Sequence, residues 1–132
     1  MNDIRIALVE DHQIVREGLR RMLELESDMK VVGEASSGQE LLAHMKEFAP
    51  HIVITDIKMP GMGGLELIHR LKEEYPQCQI LVLTFYDQFL NEALAAGAVG
   101  YLVKDLHKEE LVQAIRAVSE GLSPVHLTLE RS

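Results

Sequence analysis

Five side chains in this 132-residue chain have the right chemistry for handling phosphate and a metal ion: Glu10, Asp11, Asp56, Thr84 and Lys104. Each stands at or just past the C-terminal end of a short apolar run: Glu10-Asp11 after "IRIALV", Asp56 after "VIT", Thr84 closing "LVLT", Lys104 after "GYLV". Three carboxylates held close together repel one another, so at neutral pH a proton or a cation must join them. A hard divalent cation answers this best, and Mg²⁺ favours oxygen ligands, keeps several waters and takes one or two carboxylates plus phosphate oxygens. With such an ion held by Asp11 and Asp56 and with Lys104 opposite, a phosphoryl group arriving at Asp56 meets positive charge on both sides. Positioning and charge stabilisation are most of what phosphoryl transfer requires. An aspartate can then act as the nucleophile and carry an acyl phosphate.

Taken singly, each residue has an ordinary explanation. Asp11 could N-cap the following helix, a position where Asp is favoured. Asp56 could be a turn residue ahead of Pro60, Thr84 a plain strand residue and Lys104 a solvated tip. Capping and solvation give no reason for all five to gather at one edge of a sheet. Zinc is a poor alternative, because His12, His44, His51, His69, His107 and His126 are scattered without the paired spacing of a zinc site.

The elements that must position these residues alternate along the chain. Apolar runs rich in β-branched residues at Ile4 to Val9, Met29 to Ala35, His51 to Thr55, Ile80 to Thr84 and Val99 to Val103 predict five strands. Between and after them, helical spacing recurs in Val15, Leu19, Met22 and Leu23, in Leu41, Leu42 and Met45, in Leu65, Ile68 and Leu71, and in Leu111, Ile115, Val118 and Leu122. A short, weakly marked helix is expected somewhere in Asp87 to Ala96. Ser37 and Glu40 form an S-x-x-E capping box ahead of the second helix. Strand-helix repeats with short connections call for an α/β, doubly wound parallel sheet with helices on both faces. In the order 2-1-3-4-5, strands 1, 3, 4 and 5 bring the five residues to the carboxyl edge, where such sheets bind ligands.

Composition narrows the function further. The length and 47% hydrophobic content suit a single compact domain. No apolar run approaches the roughly 18 residues of a membrane span, and the start "MNDIRIALVEDH" lacks a signal-peptide pattern, so a cytoplasmic protein is expected. The one cysteine, Cys78, fits a reducing compartment and reads as inert packing. Thirteen basic against 21 acidic residues, a formal charge of -8, argue against direct binding to nucleic acid by this chain.

"LVEDHQIVREGLRRML", "DIKMPGMGGLELI", "LVLT" and "AGAVGYLVKD" together resemble the receiver domains of two-component response regulators over nearly the whole chain. The finer phrasing is most similar to the NarL/FixJ, or LuxR-like, subgroup, whose members carry a C-terminal helix-turn-helix. The resemblance implies a flavodoxin-like, CheY-like fold with Asp56 as phosphoacceptor and Glu10 and Asp11 as the acidic Mg²⁺ pair. It further implies that Lys58 gives its backbone carbonyl to the metal, that Thr84 and Lys104 bond the phosphoryl oxygens, and that Tyr101 is the switch aromatic. The expected partners are a sensor histidine kinase and, on phosphorylation, a second copy of the chain, paired through the helix 4, strand 5 and helix 5 surface or the helix 1 and helix 5 face. Residues 1–121 are read as the receiver and 122–132, with the Ser-Pro of "GLSPVHLTLERS", as the start of a linker to a DNA-binding domain absent from this chain. Such a protein is a switch and not an enzyme, assisting only its own phosphorylation and dephosphorylation.

The segment between Thr84 and "ALAAGA" is about two residues shorter than the family pattern. It is also aromatic, with Phe85, Tyr86 and Phe89. Ordinary packing competes there with a partner-binding or dimer surface. Two other functions stand beside the main one. A stand-alone receiver would act by binding a protein partner without DNA. A haloacid-dehalogenase-type phosphatase also uses an Asp nucleophile with Mg²⁺, Thr and Lys. It places a second Asp two positions after the nucleophile, where this chain has Lys58.

Overall fold

Most strand residues are apolar because both faces of the sheet are covered. On β1 (Ile4–Val9), Ala7 and Val9 face one side while Ile6 and Leu8 face the other, the two-residue alternation of a pleated strand. The computed structural model describes residues 3–103 and 107–122. After β1 come α1 (Gln13–Glu24), β2 (Met29–Ala35), α2 (Gly38–Phe48), β3 (Ile52–Thr55), α3 (Gly64–Glu74), β4 (Gln79–Thr84), α4 (Leu90–Ala96), β5 (Gly100–Val103) and α5 (Lys108–Ser119). The strands form one parallel sheet in the order β2-β1-β3-β4-β5. This is the doubly wound architecture expected from the sequence.

Two apolar layers hold it together. Ala7, Val9, Val53, Ile80 and Val82 pack with Leu41 and Met45 of α2, Leu67, Ile68 and Leu71 of α3, and Ala93 and Ala96 of α4. On the opposite face, Ile6, Leu8, Ile52, Ile54, Leu81 and Leu83 meet Leu23 of α1 and Leu111, Val112, Ile115 and Val118 of α5. Burial of this kind, at about 25 cal/mol per Å² of apolar surface, is what makes the sheet edge a rigid platform.

Local signals set the helix ends. Ser37 N-caps α2 by accepting the Glu40 amide at 3.1 Å. The Glu40 carboxylate reaches one residue further back than a capping box requires, accepting from the amide of Ser36 at 2.6 Å and its hydroxyl at 3.0 Å. Those bonds, the amide's first, hold the Glu40 carboxyl below its usual range. Helix α5 stops earlier than its apolar stripe suggests. Gly121, at φ +87°, lets the Gly121 amide bond the Val118 carbonyl and the Leu122 amide bond the Ala117 carbonyl, a Schellman ending. Leu122, expected on the helical stripe, therefore lies past the helix and is exposed. Helix α4 is only seven residues long.

Candidate functional site at the carboxyl ends of the strands

The site begins where the β1–β3 ladder overruns the strands. The Asp56 amide donates to the Val9 carbonyl at 3.2 Å, and the Glu10 amide donates to the Ala35 carbonyl at 3.0 Å. Asp56 and Glu10 are thereby pinned at adjacent strand ends. Glu10 and Asp56 are among the few buried polar side chains, and burying carboxylates demands compensation. Asp56 Oδ1 accepts from the Ile57 amide at 2.6 Å, and the Thr55 hydroxyl donates to the Asp56 carbonyl at 2.9 Å.

Asp11 is not spent on capping. The N-cap of α1 is His12, which makes no side-chain cap bond. Asp11 Oδ1 is buried and finds no hydrogen-bond partner among the described residues; His12 Nδ1 lies 3.4 Å from it. The same imidazole nitrogen lies 2.9 Å from Glu10 Oε2, which also accepts the His12 amide at 3.1 Å. One ligand atom each from Glu10, Asp11 and His12 falls within 4.8 Å of the others. An orphaned buried carboxylate oxygen beside a second carboxylate suits a hard, oxygen-seeking cation. Reading the histidines as scattered missed this contact of His12. Its position directly after the acidic pair was the available signal.

The turn after Asp56 is shaped by backbone contact. Gly61 adopts φ +72°, a conformation that L side chains rarely take. Gly64 donates its amide to the Ile57 carbonyl at 2.8 Å, and a Cβ there would stand 2.2 Å from the Asp56 carbonyl oxygen. The glycines of "PGMGG" thus let the chain reverse tightly against the aspartate's own backbone. Lys58 lies on this turn, with its ammonium 5.2 Å from the ring centroid of Tyr86 and 5.6 Å from that of Phe89. Its side chain is turned to the aromatic pair after β4, so any role at a metal falls to its carbonyl.

Thr84 ends β4 opposite Val103 of β5, fully buried, and its hydroxyl oxygen accepts the Tyr86 amide at 3.4 Å. Since a hydroxyl has one donor and two accepting lone pairs, that bond leaves its proton to be donated elsewhere. Lys104 follows β5 directly and lies outside the described residues. Tyr101 pairs with Val82 across the ladder and points inward with no exposure, its hydroxyl donating to the Tyr86 carbonyl. Burial, with the nearby charges of Asp87 and Asp56, pushes its phenol up to about 12. Phe85 stands exposed, while Tyr86 and Phe89 meet edge to face at 6.3 Å. Cys78 is at the far end of the sheet, its thiol pushed up to about 11 by burial, as inert packing requires.

The structure therefore gathers Glu10, Asp11 and Asp56 at neighbouring strand ends and sets Thr84 on the next strand, while Tyr101 stands among core residues. Residues 6–116 match the family described as the response regulator receiver domain. The chain is 43% identical over 120 residues to the response regulator GacA of Pseudomonas protegens, covering 89% of this chain and 56% of that protein. It thus spans about half the length of that relative. A LuxR-family two-component response regulator from Aurantimonas sp. SI85-9A1 superimposes with a TM-score of 0.89 at 37% identity, covering 98% of this chain and 97% of the other. RcsB, in a structure of two dimers bound to two parallel DNAs, matches with a TM-score of 0.88 at 30% identity, over 98% of this chain and 69% of the other.

Proposed function

The chain belongs to the response regulator receiver family, a family of signalling switches, and from that premise we propose that Asp56 is its phosphoacceptor. The observation that carries the reading is the buried Asp56 carboxylate pinned beside Glu10 and the orphaned oxygen of Asp11. Glu10, Asp11, Asp56 and the Lys58 carbonyl are the groups that would hold Mg²⁺, which supplies charge neutralisation for a transferring phosphoryl group. A carboxylate oxygen of Asp56 attacks phosphorus, the bond from phosphorus to the donor's nitrogen or oxygen breaks, and the donor leaves with that electron pair. The donor in a signalling system is the phosphohistidine of a sensor kinase.

Phosphorylation adds about -1.5 to -2 charges and three acceptor oxygens at Asp56. The proton of Thr84 and the ammonium of Lys104 are the groups to answer them. Because Thr84 Oγ1 already holds the Tyr86 amide and Tyr86 in turn accepts from Tyr101, a pull on Thr84 reaches the five residues 85–89 and the aromatic beneath them. A ligand moves such an equilibrium only through contacts made better in one state, so the phosphoryl contacts belong to the state in which the loop is drawn in. That state pairs with a second copy and, through a DNA-binding domain outside this chain, regulates transcription. An apolar groove of about 280 Å³ between α1 and α5, lined by Val15, Leu19, Met22 and Leu111 with Ile14 exposed beside it, favours the helix 1 and helix 5 face for pairing. The protein works in the cytoplasm, where such kinases present their phosphohistidine.

The deciding experiment is incubation with Mg²⁺ and acetyl phosphate followed by intact mass. A gain of one phosphoryl group is expected, absent without Mg²⁺ and absent in Asp56→Asn. Equal labelling of that variant defeats the assignment. Sedimentation of the labelled protein is expected to show more dimer, and Ile14→Asp to abolish the increase.

A further inference from the structure

Arg16 occupies the second turn of α1 and is mostly shielded, yet none of the chemistry above uses it. Its Nη1 donates to the Glu10 carbonyl at 2.7 Å, and its Nε lies 3.2 Å from Glu34 Oε1. Glu34 is itself fixed, since it pairs with Leu8 across the β1–β2 ladder and its other oxygen lies 2.9 Å from Arg20 Nε. The planar guanidinium therefore bridges two anchors, a strand carboxylate and the peptide that joins Glu10 to Asp11. Holding that carbonyl fixes the plane of the Glu10–Asp11 peptide, and with it the direction in which the Asp11 carboxylate leaves the backbone. This contact runs from the helix back to a residue two positions before its N-cap, so it is not part of ordinary helix bonding.

We propose that Arg16 is a positioning residue for the divalent cation: by clamping the Glu10 carbonyl against Glu34 it keeps the Glu10–Asp11 pair in metal-binding geometry. The inference rests on the reading of Glu10, Asp11 and Asp56 as a Mg²⁺ site. It also has a sign that separates it from simple electrostatics. A cation beside two carboxylates competes with the metal for their field, so on charge alone its removal tightens Mg²⁺ binding. If Arg16 acts through geometry, its removal weakens binding, as loss of partners behind a metal's ligands commonly does by about 10–100-fold.

The test is a Mg²⁺ titration followed by the backbone amide resonances of Asp11 and Ile57 in the parent, Arg16→Gln, Arg16→Lys and Asp11→Asn. The parent is expected to titrate and Asp11→Asn to lose most of its response. Arg16→Gln is expected to bind Mg²⁺ about tenfold more weakly, at the lower end of that range, with its remaining amide spectrum dispersed as in the parent. Arg16→Lys keeps the charge but cannot bridge both anchors, so it is expected to be weakened as well, and it decides the matter if the Gln variant does not fold. Binding as tight as the parent's in Arg16→Lys, or tighter binding in Arg16→Gln, overturns the positioning role while leaving the site intact. A parent that does not titrate overturns the metal site itself and this inference with it.

Discussion

Replacing Gly64 by alanine tests whether the turn after Asp56 is held by backbone contact. A Cβ at this position would lie 2.2 Å from the Asp56 carbonyl oxygen, 2.8 Å from Ile57 Cα and 3.1 Å from the Asp56 carbonyl carbon. All three are backbone atoms, so no side chain can swing aside. Opening the shortest contact to ordinary separation requires a shift of about 1 Å in the segment that carries the phosphoacceptor, and overpacking of this sort costs about 1–3 kcal/mol. Alanine's better helix propensity returns little at the first residue of α3, so a net loss of about 2 kcal/mol is expected. With an unfolding entropy near 2.1 cal/mol/K per residue, that lowers Tm by about 7 °C. The assay is thermal unfolding by far-ultraviolet circular dichroism, with acetyl phosphate labelling expected to slow in parallel because the Asp56 carbonyl has moved. Gly18→Ala is the control of opposite sign: nothing lies within 4 Å of a Cβ there, and the site is within helix α1. It is expected to stabilise by about 0.5–1 kcal/mol through lost unfolded-state entropy and better helix propensity. A Gly64→Ala protein melting within about 1 °C of the parent, on the same entropy scale, would refute the argument.

Two further outcomes follow from named contacts. Arg116 bridges Glu26 at 2.9 Å and Asp28 at 2.9 Å, and these bonds hold both carboxyls below their ordinary values of 4.5 and 3.8. A carboxyl lowered in the folded state contributes stability that is present above its unfolded pKa and is lost as pH falls through the folded one. Urea midpoints are therefore expected to drop between about pH 5 and pH 2 by more in the parent than in Arg116→Gln, and the difference to shrink in high salt. Tyr101→Phe removes the hydroxyl that donates to the Tyr86 carbonyl, with an expected loss of about 1 kcal/mol. In a spectrophotometric titration the same change is expected to abolish the phenolate transition near 12.

Legibility in the sequence followed the range of the forces involved. The five strands lie within a residue of their apolar runs because strands covered on both faces are apolar along most of their length, a demand written in consecutive residues. Ser37 was readable as a cap because its partner is three residues away. Leu122 misled, since its spacing continues the α5 stripe while Gly121 turns the backbone out of the helix before it. Within the site, residue type and the ends of apolar runs pointed to Glu10, Asp11, Asp56 and Thr84. His12 and Arg16 were passed over because their roles depend on neighbours across the β1–α1 turn and on Glu34 of β2.

By itself the sequence determined the architecture, the order of elements and the identity of the acidic residues, since hydrophobic period and strand-terminal position are properties of neighbours along the chain. Tertiary structure decided which groups touch. It set the Asp56 amide on the Val9 carbonyl, left Asp11 Oδ1 without a hydrogen bond among the described residues and turned the Lys58 ammonium to Tyr86 and Phe89. It also brought the hydroxyl of Tyr101 to the carbonyl of a residue fifteen positions earlier. Contacts of that kind depend on register between strands and on a few ångströms of backbone placement, which no local pattern of residue types encodes.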